Sequence, residues 1–234
     1  MITFPFNDFT LSGKRALVTA GPTYEALDPV RFIGNHSTGK MGFAIAQVLA
    51  DAGASVTLVS GPTHIMINHP LITRIDVVTA EEMYNASIVA FPSSDIAILA
   101  AAVADYKPAQ YAKQKIKKSG DVITLKLTRT IDIARQLGKL KCDDQFLAGF
   151  ALETENEKAN AEKKLREKNL DFIVLNSLND EGAGFGHNTN RISILYKNGN
   201  VKTFDLKNKL EVAYDIVEEV IAKSALFSLR HKVA

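Results

Sequence analysis

The residues best placed to do chemistry lie in one stretch, Asp28-Pro-Val-Arg-Phe-Ile-Gly-Asn-His-Ser-Thr-Gly-Lys-Met-Gly42. It follows the apolar run Arg15–Ala20 and the small-residue turn Ala20-Gly-Pro-Thr23. An apolar strand that ends in small residues and leads through a loop into a helix is how an open α/β sheet presents a phosphate or nucleotide site. Residues Gly34 to Lys40 match the start of a P-loop, but Met41 stands where a Ser or Thr would hold Mg²⁺. Pro29 also leaves only Val30 to Ile33 for the strand a P-loop must follow, with charged Arg31 inside it. No G-x-G-x-x-G follows the first strand, so the dinucleotide fingerprint is absent too. What remains is a helix predicted over 39–52, capped by Ser37 or Thr38, whose small residues admit an anion to its N-terminus. A plain capped helix after a surface loop fits the same residues.

Cations gather elsewhere. Lys115-Ile-Lys-Lys118, with Lys113 before it, falls between the strand predicted to end near Asp105 and one predicted from Val122. Ammonium groups on one short segment repel each other unless an anion joins them, and a triphosphate is the natural candidate. The run follows the ligand-side end of a strand, where a mobile cationic lid would close over phosphates; a solvated loop is the other reading. Lys164 and Lys168 are spaced i, i+4 and share one face of a helix predicted over 155–169. Glu157, Glu162 and Glu167 on that helix equally allow both lysines to be surface charges. Asp105, at a strand end, suits a metal-bound water, a sugar or base hydrogen bond, or a helix cap. His36, His64, His69, His187 and His231 lack paired-ligand spacing, and Cys142 lies apart in Lys141-Cys-Asp-Asp144, so no nucleophilic or metal constellation is visible.

The elements that must position these residues alternate in type. Strands are predicted at 15–20, 55–60, 73–78, 95–101, 146–150 and 171–176, with helices at 39–52, 80–91, 131–139, 155–169 and 207–222. Near-continuous apolar strands separated by helices define an α/β class: a Rossmann-like, mostly parallel sheet with helices on both faces. Val122–Arg129 alternates as a half-exposed antiparallel strand, and Arg191–Tyr196 and Val201–Asp205 flank Asn198-Gly199, a hairpin signal. These predict a small antiparallel subregion beside the main sheet and a surface suited to a dimer, with a monomeric mixed sheet as the alternative. The chain of 234 residues is 46% apolar and 23% charged, which fits one large domain over 14–222, an N-terminal arm over 1–13 and a tail over 223–234. A net charge of +2 gives no field for nucleic acid. One cysteine and no apolar leader predict a cytoplasmic protein, and the longest apolar run, Ile96 to Ala104, is too short to span a bilayer.

Taken together and in order, Ala20–Thr23, Asp28–Gly42, Val59-Ser-Gly-Pro-Thr63, Ala101-Ala-Val-Ala-Asp-Tyr106, Lys115–Lys118 and Gly149-Phe-Ala-Leu-Glu-Thr154 resemble the phosphopantothenate-cysteine ligases of coenzyme A biosynthesis, over about residues 14 to 222. The resemblance implies a two-step reaction of the bacterial, CTP-dependent type. The carboxylate of 4′-phosphopantothenate attacks the α-phosphate of CTP, and L-cysteine then attacks the acyl-cytidylate, with Mg²⁺ assisting. It implies a nucleotide site on Ala101, Asp105, Lys115, Ile131, Asp132, Ile133, Ala134, Phe150, Lys164 and Lys168. Ile131 stands where many relatives have Pro. It implies a phosphopantothenate site on Arg31, Asn35, Gly39 and Lys40, with Asn35 and Lys115 as the catalytic residues. It further implies a homodimer with the site near the interface, and either a stand-alone ligase served by a separate decarboxylase or one cut from a fusion. A mixed anhydride needs no protein nucleophile, which agrees with the missing triad. The alternatives are an NAD(P)-binding oxidoreductase, opposed by the missing glycine fingerprint and the missing Tyr-x-x-x-Lys, and a nucleotide-binding module without turnover.

Overall fold

The computed structural model describes residues 10–118, 120–177 and 187–230; most of the N-terminal arm lies outside them. In chain order the first half holds β1 (Arg15–Ala20), β2 (Tyr24–Ala26), β3 (Phe32–Gly34), α1 (Lys40–Asp51), β4 (Ser55–Ser60), β5 (Ile72–Asp76), α2 (Ala80–Ala90), β6 (Ile96–Leu99) and β7 (Tyr106–Pro108). The second half holds β8 (Leu127–Arg129), α3 (Ile133–Leu140), β9 (Phe146–Glu153), α4 (Glu157–Glu167), β10 (Phe172–Ser177), β11 (Thr189–Asn190), β12 (Ile192–Tyr196), β13 (Val201–Thr203), β14 (Lys207–Asn208) and α5 (Lys209–Arg230).

The central sheet has eight strands in the order β13-β12-β10-β9-β6-β1-β4-β5. From β10 to β5 all pairings are parallel, with Ala16 of β1 opposite Val56 of β4 on one side and Ile96 of β6 on the other. The strand order runs outward from β1 in both directions, so the direction of winding reverses between β1 and β6. In such sheets the crevice beyond the carboxyl ends at the reversal is where ligands lie.

Parallel strands need cover on both faces, which explains the unbroken burial of Ala16, Leu17, Val18 and Ala20. The two sides of β1 feed two cores. Ala16 and Val18 pack with Ile45, Val48 and Leu49 of α1 and Ile216 and Val217 of α5. Leu17 packs with Met83 of α2, Leu137 of α3 and Leu165 of α4. Full burial of a side chain such as Leu17 contributes about 1.5–3 kcal/mol.

Helix α2 shows how local chemistry sets an element. The Thr79 hydroxyl accepts from Glu82 N–H at 3.2 Å, and the Glu82 carboxylate accepts in return from Thr79 N–H at 3.2 Å. Buried Glu25 of β2 accepts from Ala80 N–H at 2.7 Å, so a carboxylate faces the positive end of α2 and ties β2 to it.

The predicted elements are present with shifted limits. The hairpin at 191–205 turns at Gly199, whose φ is 83°, but β12 pairs with β10, so the hairpin forms the edge of the main sheet itself. Its apolar side chains Ile192, Ile194 and Leu195 are buried there. Of the strand expected over 122–129, only Leu127–Arg129 pairs, with β7, and Val122 is exposed. One further backbone bond, Ala109 N–H to Lys126 C=O at 2.9 Å, extends the pairing past Pro108. Helix α5 continues past 222 to Arg230.

One close approach holds α1 on the sheet. A Cβ at Gly42 would stand 2.6 Å from the Ala20 Cβ and 3.0 Å from its Cα. Gly42→Val is therefore expected to destabilise the fold by about 2 kcal/mol through overpacking, read as a lower urea midpoint with unchanged slope.

Candidate functional site

Beyond the carboxyl ends of β1 and β6 the two chains stay paired. Ala102 N–H donates to Gly21 C=O at 2.9 Å, Thr23 N–H donates to Ala102 C=O at 3.3 Å, and Ala104 N–H donates to the Thr23 hydroxyl at 2.9 Å. On the β6 side of this paired backbone, Ala100 to Val103 form the floor of a cavity of about 940 Å³, with Thr19 and Gly149 beside them at the sheet edge.

Three helix starts wall the cavity. At α1 the cap is not Ser37 or Thr38 but Gly39, with φ 83° and no side-chain cap bond. A Cβ at Gly39 would stand 3.3 Å from the Gly21 backbone, so a left-handed residue without a side chain takes the position. The Ser37 hydroxyl instead accepts from Gly39 N–H at 3.3 Å, ahead of the helix. At α3, Asp132 is the cap, its carboxylate accepting from Arg135 N–H at 3.0 Å. At α5, Lys209 occupies the first helical position and points with Lys40 into the same cavity. Burial lowers the Lys209 pKa and the nearby Lys40 ammonium lowers it further.

The lysines expected from α4 are in the wall. Lys164 pairs with Glu153 of β9 at 2.6 Å, and Lys168 pairs with Asp132 at 3.1 Å. The glutamates of α4 itself pair elsewhere, Glu162 with Lys158 and Glu167 with Lys163. Ala101, Asp105, Ile131, Asp132, Ile133, Ala134, Phe150, Lys164 and Lys168 thus meet around one cavity with Asn35, Gly39 and Lys40. Asn35 Nδ2 donates to the carbonyls of Ala102 at 2.9 Å and Val103 at 3.2 Å, which fixes the exit from β6 and leaves Oδ1 to accept.

Arg31 and Lys115 do not line the cavity. Arg31 grips the buried Asp28 carboxylate through Nε at 3.0 Å and Nη2 at 2.5 Å, and Nη2 also donates to Ile116 C=O at 2.9 Å. Asp28 accepts in addition from the N–H groups of Val30, Arg31 and Ile116. The guanidinium, opposed by burial and aided by these backbone donors, holds the Asp28 carboxyl well below the usual carboxylate range. Because the folded-state pKa lies below the unfolded value, this contribution is complete above about pH 4 and is lost as the pH falls from there towards the folded pKa. Ile116 is therefore pinned on both its N–H and its C=O, and exposed Lys115 hangs beside the pin.

Sequence reasoning missed Arg129, Arg135, Lys139, Asn176, Asn190 and Lys209, all of which line the cavity. Lys209 carried a signal: a cation at a helix start opposes the helix dipole, and that is a local conflict worth a question. Asn176 and Asn190 carried none, because strands distant in sequence bring them there. Among the described residues no group of three His, Cys, Asp or Glu side chains is arranged to hold a metal ion.

A Rossmann-like sheet with a cation-lined cavity at its topological reversal defines an α/β protein built to hold an anionic ligand. The chain belongs to the family described as the DNA/pantothenate metabolism flavoprotein C-terminal domain, whose model matches residues 11–223. It is similar to the coenzyme A biosynthesis bifunctional protein CoaBC of Haemophilus influenzae, with 46% identity over 91% of this chain and 52% of that protein. It is also 53% identical to a protein from an unknown prokaryotic organism named cysteine/cysteine sulfinic acid decarboxylase, over 90% of this chain and 59% of that one. The chain thus spans little more than half the length of these relatives. The solved C-terminal domain of a CoaBC protein superposes with a TM-score of 0.77 at 41% identity, covering 92% of this chain and 97% of that domain.

Arg31→Gln is expected to release Ile116 and to speed tryptic cleavage between residues 113 and 118 about tenfold in a limited digest followed by mass spectrometry. Unchanged cleavage would detach Arg31 from the lysine loop.

Proposed function

We propose that the chain joins 4′-phosphopantothenate to L-cysteine with CTP in the cytoplasm, as a phosphopantothenate-cysteine ligase. The observation that carries this reading is the charge of the cavity. Among the described residues seven lysine and arginine side chains line it against two carboxylates, which suits a triphosphate beside a second phosphorylated substrate. Family membership and the names of the relatives, which refer to coenzyme A biosynthesis, support the choice of substrates.

In the first step a carboxylate oxygen of phosphopantothenate bonds to the α-phosphorus of CTP, and the bond to the bridging oxygen breaks to release pyrophosphate. In the second step the cysteine nitrogen bonds to the activated carbonyl carbon, CMP leaves, and the nitrogen gives up a proton. The protein supplies position and fixed charge rather than a nucleophile. The backbone floor at Ala101–Val103 and the Asp132–Ala134 helix start hold the nucleotide between Phe150 and the α4 lysines. Lys115, carried on the loop pinned at Ile116, closes over the phosphates as charge grows on the leaving pyrophosphate. Asn35, with its donors engaged by Ala102 and Val103, presents Oδ1 to the incoming amine and so aligns it with the carbonyl. Asp105 is a lining carboxylate at the cavity rim and suits Mg²⁺ carried on the phosphates, where such ions keep most of their ligands from phosphate and water. Bound there, Mg²⁺ would neutralise phosphate charge.

A homodimer belongs to the same proposal. Its support is apolar surface on the two small hairpins β2–β3 and β7–β8: Phe32 and Leu127 are 54% and 42% exposed, and Val30 and Tyr106 are exposed beside them. Among the described residues no helix is long and apolar enough to cross a membrane.

The test is mass-detected product formation from phosphopantothenate, L-cysteine and Mg²⁺ with CTP or ATP, alongside pyrophosphate release without cysteine. Product with CTP and pyrophosphate without cysteine are expected. CTP binding without product would reduce the chain to a nucleotide-binding module. Asn35→Asp is expected to lower overall turnover about a hundredfold while pyrophosphate release without cysteine persists, since a carboxylate has no N–H for the Ala102 and Val103 carbonyls and loses the position from which Oδ1 aligns the amine. Unchanged turnover would remove Asn35 from the mechanism.

A further inference from the structure

The β11–β14 ribbon is the part of the cavity wall for which the proposed reaction has given no role. Its strands pair antiparallel, Thr189 with Asn208 and Asn190 with Lys207, and Lys209 N–H donates to Asn188 C=O at 2.9 Å. This short ladder sets Lys209 opposite the start of α1. From the other side Lys40 Nζ donates to Asn188 Oδ1 at 2.7 Å, so the ribbon and the α1 start meet at one corner of the cavity.

Two features of this corner suit a ligand that carries both an anionic group and a hydrogen-bond donor. Lys40 and Lys209 are half-buried ammonium groups near enough for each to oppose the other's charge, and both stand at helix starts, where the helix dipole also opposes a cation. Asn190, 2% exposed and on the cavity wall, donates through Nδ2 to Asn176 Oδ1 at 3.2 Å, but its Oδ1 is buried with no partner among the described residues. A buried acceptor without a donor is costly. An anion between the lysines removes the first conflict, and a hydroxyl or N–H on the same ligand removes the second.

We propose that Lys209, with Lys40 and the N–H groups at the start of α1, binds a phosphate group of a reactant, and that Asn190 Oδ1 accepts a hydrogen bond from the same molecule. The assignment rests on the ligase reading for which molecule that is, CTP or phosphopantothenate. The chemistry is shared: a phosphate with a hydroxyl or amide donor within a few bonds of it.

The test is calorimetric titration of the full chain and of Lys209→Gln with tripolyphosphate, CTP and 4′-phosphopantothenate, with cytidine and pantothenate as phosphate-free controls. Lys209→Gln should weaken binding of tripolyphosphate and of one organic phosphate about tenfold or more, the scale of a charge-assisted hydrogen bond, and leave both controls unchanged. The organic phosphate affected names the source. Lys209→Arg, which keeps the cation, should restore most of the affinity, and a thermal melt matching the wild type shows that the loss is local. Equal binding of all three phosphates by wild type and Lys209→Gln would overturn the corner and leave the ligase reading standing. A wild-type chain that bound tripolyphosphate through Lys209 but neither organic ligand would keep the corner and withdraw the ligase reading. Binding of none of them would withdraw both.

Discussion

The arrangement depends on the reversal of strand order between β1 and β6. Both strands run parallel to their neighbours, and the chains leaving them must turn to opposite faces of the sheet. Backbone pairing between Gly21–Thr23 and Ala102–Ala104 continues where side-chain packing ends, so the crevice has a floor of main chain. A main-chain floor tolerates only small neighbours. Gly39 and Gly42 meet this need at the α1 crossing, where an added Cβ would run into the Gly21 backbone or Ala20, and Gly21 meets it against the Gly61 backbone.

Around this floor the charges are held before any ligand arrives. Lys164 rests on Glu153, Lys168 on Asp132 and Lys40 on Asn188. Exposed ion pairs of this kind contribute about 0–1 kcal/mol to stability. Their consequence here is placement, since an ammonium tethered at the wall loses less freedom when a phosphate takes it over. Asp28 plays a different part. Fully buried and bonded to Arg31, its carboxylate fixes a loop 88 residues away in sequence by holding Ile116. The lysine-rich segment is thereby held at Ile116 while its ammonium groups stay in solvent.

Much of this was legible in the residues. Continuous apolar runs at 15–20, 55–60 and 96–99 identify buried parallel strands, because only strands covered on both faces lack polar alternation. The stretch from Asp28 to Gly42 reaches the cavity in part, and Lys164 and Lys168, which spacing alone left open as surface charges, both line it. Where Arg31 sits was not legible in the sequence, because Ile116, which it holds together with Asp28 outside the cavity lining, is far away in the chain. The Ser37/Thr38 cap gave way to Gly39 because the close approach to Gly21, a tertiary contact, outweighs a local capping preference.

The sequence by itself determined the α/β class, the helix that opens at Gly39 and the positive character of the site, since these follow from periodicity and residue type. Tertiary structure alone decided which cations share a cavity. Arg129, Lys139 and Lys209 come from parts of the chain far apart in sequence or on different elements, and no local pattern encodes their distance from one another. It also decided that the hairpin at 191–205 completes the main sheet, because β10 offers an open edge and buried backbone groups must find partners.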